Sequence, residues 1–237
     1  MTEFEMTPPS AFSPTATATA ERVTAFLRKV YGWMFVGLGV TAAVALGVAS
    51  SPTLMQAIFG SKILFFGLVI AELGLVFFLS ARVNKLAPAT ASGLFLLYSA
   101  LNGATLAAIF VIFTGTSIAT TFFVTAGMFG ALALYGSTTK RSLAGVGQFA
   151  FMGLIGLILA SVVGMFLKSD GLQFVISIVG VIVFTGLTAW DAQRLKAMAT
   201  ALPEGQTGSY AVVGALSLYL DFINLFLFLL RFFGRRD

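Results

Sequence analysis

The chain contains no cysteine and no histidine, and only 10% of its 237 residues are charged. The missing cysteine removes disulfides, thiolate metal sites and thiol nucleophiles from consideration. The missing histidine removes imidazole ligands and the Ser-His-Asp arrangement. Any bound metal would therefore be a hard cation held by oxygen atoms. Proline is scarce as well, with six in all, and none lies inside an apolar stretch. Pro8, Pro9 and Pro14 fall near the start, and Pro52, Pro88 and Pro203 fall between apolar segments. Proline inside a helix removes a backbone hydrogen bond, so this placement marks where helices end.

What the chain has in abundance is apolar side chains: 58% of the residues, with a mean hydropathy of +0.99. That composition belongs to a membrane protein, with most of the length spent in spanning segments. Apolar stretches run over about 30–49, 63–81, 91–113, 117–135, 146–167, 172–190 and 210–233. Each approaches or exceeds the ~20 residues that a helix needs to cross a bilayer. The expected fold is an all-α bundle of seven transmembrane helices forming one domain over 21–237. Residues 1–20, rich in Thr, Ala, Ser and Pro, read as a disordered tail. No basic region followed by an apolar core opens the chain, so no cleaved signal peptide is expected.

The net charge of +5 does not point to nucleic acid, because the basic residues sit in short loops where they set topology. Arg22, Arg28 and Lys29 flank the first segment; Arg82, Lys85, Lys140, Arg141, Arg194 and Lys196 fall in alternate loops on that same side. The opposite loops hold only Lys62 and Lys168, which predicts a cytoplasmic N-terminus. Trp33 and Trp190 then fall at the cytoplasmic interface. Arg231, Arg235 and Arg236 lie outside if the last segment spans and inside if it re-enters; its length favours spanning.

Small residues suggest close helix packing. Gly156, Ala160 and Gly164 form one ridge, and Gly127 with Ala131 another. The run Gly145-Val-Gly147-Gln-Phe-Ala150 matches a dinucleotide fingerprint in spacing only. No strand precedes it and a membrane helix follows, so no cofactor is expected.

Ionisable residues at membrane depth carry the functional signal. A charge there costs roughly 2.5–3.5 kcal/mol on insertion scales and usually faces a partner or a water-filled cavity. Glu72 lies in mid-segment, Arg82 ends that segment, Asp191 ends the sixth and Asp221 sits inside the seventh. Glu72 and Arg82 are about 15 Å apart along one helix, so each needs a partner elsewhere. Glu72 reads as a permeation-lining acid or as an interhelical hydrogen-bonding one, and Asn102 as packing glue. Ser217, Asp221 and Asn224 share one polar helix face. Asp191 reads as a solvated helix end or as Asp221's partner. If the two aspartates meet, they hold a shared proton and sense pH. Contact requires a helix starting after Tyr210, across a flexible EGQTGSY link, or an Asp191 lying below the interface. Arg82 could compete for one carboxylate as a latch.

LSLYLDFINLFLFLLRFFG (216–234) and FTGLTAWDAQRL (184–195) resemble signatures of the Bax-inhibitor-1, or transmembrane Bax-inhibitor-motif, family, in its bacterial form. The resemblance runs from about residue 20 to the end. It implies a seven-helix bundle with the C-terminal helix central, in the bacterial inner membrane, acting as a pH-sensitive calcium leak. It maps the pH-sensing dyad onto Asp191 and Asp221, the second-helix acid onto Glu72 and the latch onto Arg82. Calcium held by Asp191, Asp221 and Glu72 is one arrangement compatible with it. Two departures stand out: the arginine is one position nearer the glutamate, and the link between the aspartates is long. An intramembrane aspartyl protease would need Gly-x-Gly-Asp, absent before both aspartates, so an enzyme is not expected. The alternative is a modulator that binds another membrane protein, such as a membrane-bound protease, without transporting anything.

Overall fold

A computed structural model describes residues 16–167, 169–203 and 207–235. Among these residues nine α-helices follow in order: α1 Ala16–Ala49, α2 Pro52–Gly60, α3 Lys62–Arg82, α4 Pro88–Leu106, α5 Ile109–Ile112, α6 Gly115–Thr138, α7 Ala144–Leu167, α8 Asp170–Ala201 and α9 Thr207–Phe233. Seven stretches are long and apolar enough to cross a membrane, with α4 and α5 joining in one of them. The protein is a helical, multi-pass membrane bundle. Pro52 and Pro88 each open a helix, where the missing N–H would be unpaired in any case.

Two helices outrun their apolar stretches. The first begins at Ala16, so 16–20 are helical; the rest of the expected tail lies outside the described residues. Its extension buries Phe26 against the core. The sixth span continues to Ala201 rather than ending near Trp190. Its added turns, DAQRLKAMATA, are made of strong helix formers and bury Ala192, Leu195 and Ala199 on one stripe. Hydropathy alone misses such amphipathic ends. Residues 204–206 of the expected flexible link lie outside the described residues, and Thr207 to Tyr210 already form the first turn of α9.

The last segment is one unbroken helix of 27 residues, about 40 Å long. It does not re-enter: Arg231 lies at the opposite end of the bundle from Arg194. There Thr114 N–H, before α6, donates to Arg235 O at 3.1 Å. Helix α9 packs against α1, α4, α6 and α8 together. It buries aromatic and aliphatic residues on all sides, including Leu218, Tyr219, Phe222, Leu225 and Leu230. By contrast α3 and α7 leave most of their surface uncovered.

The expected small-residue ridges are only partly used. A Cβ at Gly164 would touch Gln173, but Gly156 and Gly127 face open space. The close approaches lie elsewhere. A Cβ at Gly136 of α6 would fall 2.0 Å from Ala189 O of α8, and one at Gly147 of α7 would fall 2.3 Å from the Trp190 ring. Gly103 of α4 meets Thr41 O of α1 at 2.6 Å on the same construction. These contacts press α6 and α7 onto the Ala189–Asp191 turn, and α1 onto α4.

Candidate functional site

Asp191 lies well inside α8, so it is not a solvated helix end; its residue is 6% exposed. Helix α9 starts early, at Thr207, and Asp191 lies ten residues before the end of α8. Antiparallel packing brings α8 alongside α9. There the Ser217 hydroxyl donates to Asp191 Oδ2. Ser217 and Asp221 are four residues apart and share a helix face. Asp221, 5% exposed, lies one turn of α9 beyond Ser217 on that face. Asp191 Oδ1 and Asp221 Oδ2 are both buried without a hydrogen-bonding partner. A buried carboxylate oxygen without a hydrogen bond is costly when ionised.

The cation beside the pair is Arg194, not Arg82. Arg194 Nη1 stands 3.5 Å from Asp191 Oδ1, one helical turn along α8. Its guanidinium also lies over the Trp190 ring, 5.4 Å from the centroid. Trp190 in turn rests on bare Gly147, so the apparent nucleotide motif supplies a glycine that seats an aromatic ring. Arg82 is exposed and lies over Phe78 of its own helix, 5.8 Å from the ring centroid. The structure does not bring it to the aspartates. The reason is spacing: i to i+3 on one helix holds Arg194 at Asp191, whereas Arg82 would have to reach across from α3.

A cavity of about 290 Å³ opens onto Asp191 and Arg194, with Ser80, Tyr210 and Ser217 also in its wall. Asp221 is not in that wall. A larger cavity of about 710 Å³ occupies the other end of the bundle, beside Asp170, Gln173, Ser177 and Arg231. It holds neither aspartate of the pair, and its size does not make it the chemical centre.

Asn224 does not support the pair. Its amide donates to Leu220 O at 2.8 Å, closing on its own helix. Glu72 also lies elsewhere. Asn102 Nδ2 donates to Glu72 Oε2 at 3.2 Å, and Thr105 Oγ1 donates to Glu72 Oε1 at 3.0 Å, both from α4. This is the interhelical hydrogen-bonding arrangement. Asn102 is more than packing glue, because its Oδ1 accepts from the Tyr219 hydroxyl at 2.9 Å. Tyr219 and Ser217 point roughly 200° apart around α9. Glu72 and the aspartates are therefore on opposite faces of that helix. Among the described residues no three acids converge as a metal site, so the arrangement of calcium held jointly by Asp191, Asp221 and Glu72 is not formed.

Thr41, Ser99, Thr105 and Tyr219 escaped the sequence reading, because hydroxyls in an apolar segment look like ordinary helix packing. The available signal was Tyr219 itself, a phenol two residues from Asp221 in the middle of a span. Buried tyrosine hydroxyls generally have a partner.

The sequence profile of the family described as "Inhibitor of apoptosis-promoting Bax1" matches residues 23–237. The chain belongs to the Bax inhibitor-1 family. Curated relatives of this family include the inner membrane protein YbhL of Escherichia coli strain K12. It is 52% identical over 214 residues, covering 89% of this chain and 92% of YbhL. An uncharacterized protein of Borreliella burgdorferi is 47% identical over 213 residues, with 89% and 92% covered. Uncharacterized protein RP147 of Rickettsia prowazekii is 43% identical over 216 residues, covering 89% of each chain. The Bax inhibitor-1 match therefore runs from within α1 to the end of the chain, both aspartate helices included.

Proposed function

We propose that this Bax inhibitor-1 family member is a proton-regulated cation leak of the bacterial inner membrane, with calcium as the conducted ion and a cytoplasmic N-terminus. The observation that carries the reading is two buried carboxylates, each with one oxygen that has no hydrogen bond, and Asp191 in the wall of a cavity. Protonated, the pair holds its proton between α8 and α9 and keeps the two helices together. Ionised, two like charges repel at close range, and each oxygen can receive a hard cation entering from the cavity. Arg194 competes for Asp191 from the cavity side and takes the place assigned to Arg82 in the latch. This chemistry binds and releases protons and cations; no covalent step is assigned to either aspartate.

Calcium flux into liposomes holding the full-length protein, measured between about pH 5 and 8, where a coupled carboxyl pair titrates, tests the proposal. Wild type is expected to leak with a pH-dependent rate. Asp221→Asn removes the like charge beside Asp191 and should shift or abolish that dependence. The Asp191→Asn, Asp221→Asn double variant should be no worse than either single one, since the two act as a unit. Flux no greater than in empty liposomes overturns the leak reading. A wild-type pH profile in both single variants overturns the role of the pair.

A further inference from the structure

Helix α9 is held from its other face by a hydrogen-bonded chain that the aspartate pair does not use. Tyr219 is fully buried, with its ring edge-on to Phe95 and Tyr98 at 5.7 Å each. Its hydroxyl meets Thr41 Oγ1 of α1 at 2.6 Å and Asn102 Oδ1 of α4 at 2.9 Å. Thr41 Oγ1 is also 2.9 Å from Ser99 O. Beyond Asn102 the chain ends on Glu72 of α3. Four helices are thus joined through one phenol.

The direction of these bonds is set by donor and acceptor chemistry. A carboxylate oxygen only accepts, so Glu72 Oε2 requires Asn102 to present its NH₂. Asn102 must then turn its carbonyl oxygen to Tyr219, and Tyr219 must donate. The single Tyr219 proton is committed, and Thr41 can only offer its own to Tyr219 or to Ser99 O. Now let Glu72 take a proton or be claimed by a cation. Asn102 is released from donating to it and can reverse its amide. Tyr219 then accepts from Asn102 and turns its proton to Thr41. The state of Glu72 is written in this way on a hydroxyl of α9. An amide in the middle does not relay protons along the chain, so the link carries orientation and not charge.

Asp221 is two residues from Tyr219, and Ser217, which holds Asp191, is two residues on the other side. Ser217, Tyr219 and Asp221 lie within about one turn of α9, so a displacement of that turn at the phenol would reach the carboxylate pair. We infer that Tyr219 is a positioning residue that couples the Glu72 site to the Asp191–Asp221 pair through α9. The groups that face Tyr219 are Glu72 from α3, Tyr98 and Asn102 from α4 and Thr41 from α1; those that face the pair are Arg194 and Ser217. The inference deepens the leak reading and rests on it for the role of the pair.

Carbodiimide modification of carboxyl groups tests the coupling without requiring that ions move. The full-length protein in liposomes is treated with dicyclohexylcarbodiimide, and the modification rate of Glu72 is followed by peptide mass spectrometry. Asp221→Asn should change the Glu72 rate by about threefold or more, as expected of coupled sites. In a Tyr219→Phe background, which keeps the ring and removes only the hydroxyl, the same substitution should leave the Glu72 rate within error. Asn102→Leu, near in volume, cuts the chain at its next link and should have the same effect, which covers the case of a Tyr219→Phe protein that does not fold. An Asp221→Asn effect that is absent in the wild-type background, or equally large in both backgrounds, overturns the inference. A liposome that leaks no calcium yet shows the Tyr219-dependent change would sink the leak reading and leave the coupling standing.

Discussion

At the residue scale the decisive question is which cation answers Asp191. Arg194 has two holds: an ion pair at 3.5 Å and the Trp190 ring at 5.4 Å. Its side chain is 51% exposed, so the ion pair alone is a modest interaction, screened by solvent. The position matters more than the strength, because the guanidinium lies at a carboxylate oxygen that has no hydrogen bond, in the wall of the same cavity. Arg194→Gln removes the competitor and the favourable charge together. In the liposome assay it should raise cation flux at saturating calcium and shift the pH profile away from that of wild type. Arg82→Gln should leave the profile near wild type. Equal responses from the two variants would show that the arginine of α3 reaches the site after all.

At the element scale, helices α6 and α8 approach at a contact that allows no side chain. The α6–α8 crossing has Gly136 against the Ala189 carbonyl, two residues from Asp191. Backbone cannot yield as a flexible side chain can, so a larger residue there must push the helices apart. Gly136→Val is expected to lower stability by about 1–3 kcal/mol or more, the range for overpacking. Thermal unfolding in detergent checks this. Gly127→Ala on the same helix faces open space and should leave the melting temperature unchanged or slightly higher. A melting curve unaltered by Gly136→Val would mean that the α6–α8 approach is looser than described.

At the scale of the whole molecule the bundle has two chemically distinct ends. Arg194, Lys196, Lys140 and Arg141 cluster at one of them: Lys196 Nζ donates to Ser137 O at 2.7 Å, and Gln193 clamps Leu143 N–H and Arg141 O at 2.8 Å each. The α6–α7 turn is thereby tied to the end of α8. By the distribution of positive charge this end should face the cytoplasm. Because the chain has no native cysteine, single cysteines at Ser137 and Ser51 can be probed with an impermeant maleimide. Labelling from opposite sides of the membrane is expected, with Ser51→Cys reacting from outside. Labelling from one side, or in the reverse sense, would overturn the orientation.

What the sequence determined by itself was whatever depends on local composition: seven apolar stretches of spanning length, their proline boundaries, and the acids Glu72, Asp191 and Asp221 within or at the ends of them. The family was equally legible, in the stretches around Asp191 and Asp221. Helix ends were less so, because α1 and α8 continue as amphipathic turns whose buried stripe exists only against neighbours. The tertiary structure alone decided who meets whom. Spacing placed Ser217 and Asp221 on one face but could not say that Asp191 would lie opposite, since that depends on α8 running ten residues past it. It could not choose between Arg82 and Arg194, because sequence distance does not report distance across a bundle. Nor could it separate Glu72 from the aspartates. A helix has two sides, and only the packing of α3 and α4 on one and α8 on the other turns three acids of one sequence into two sites.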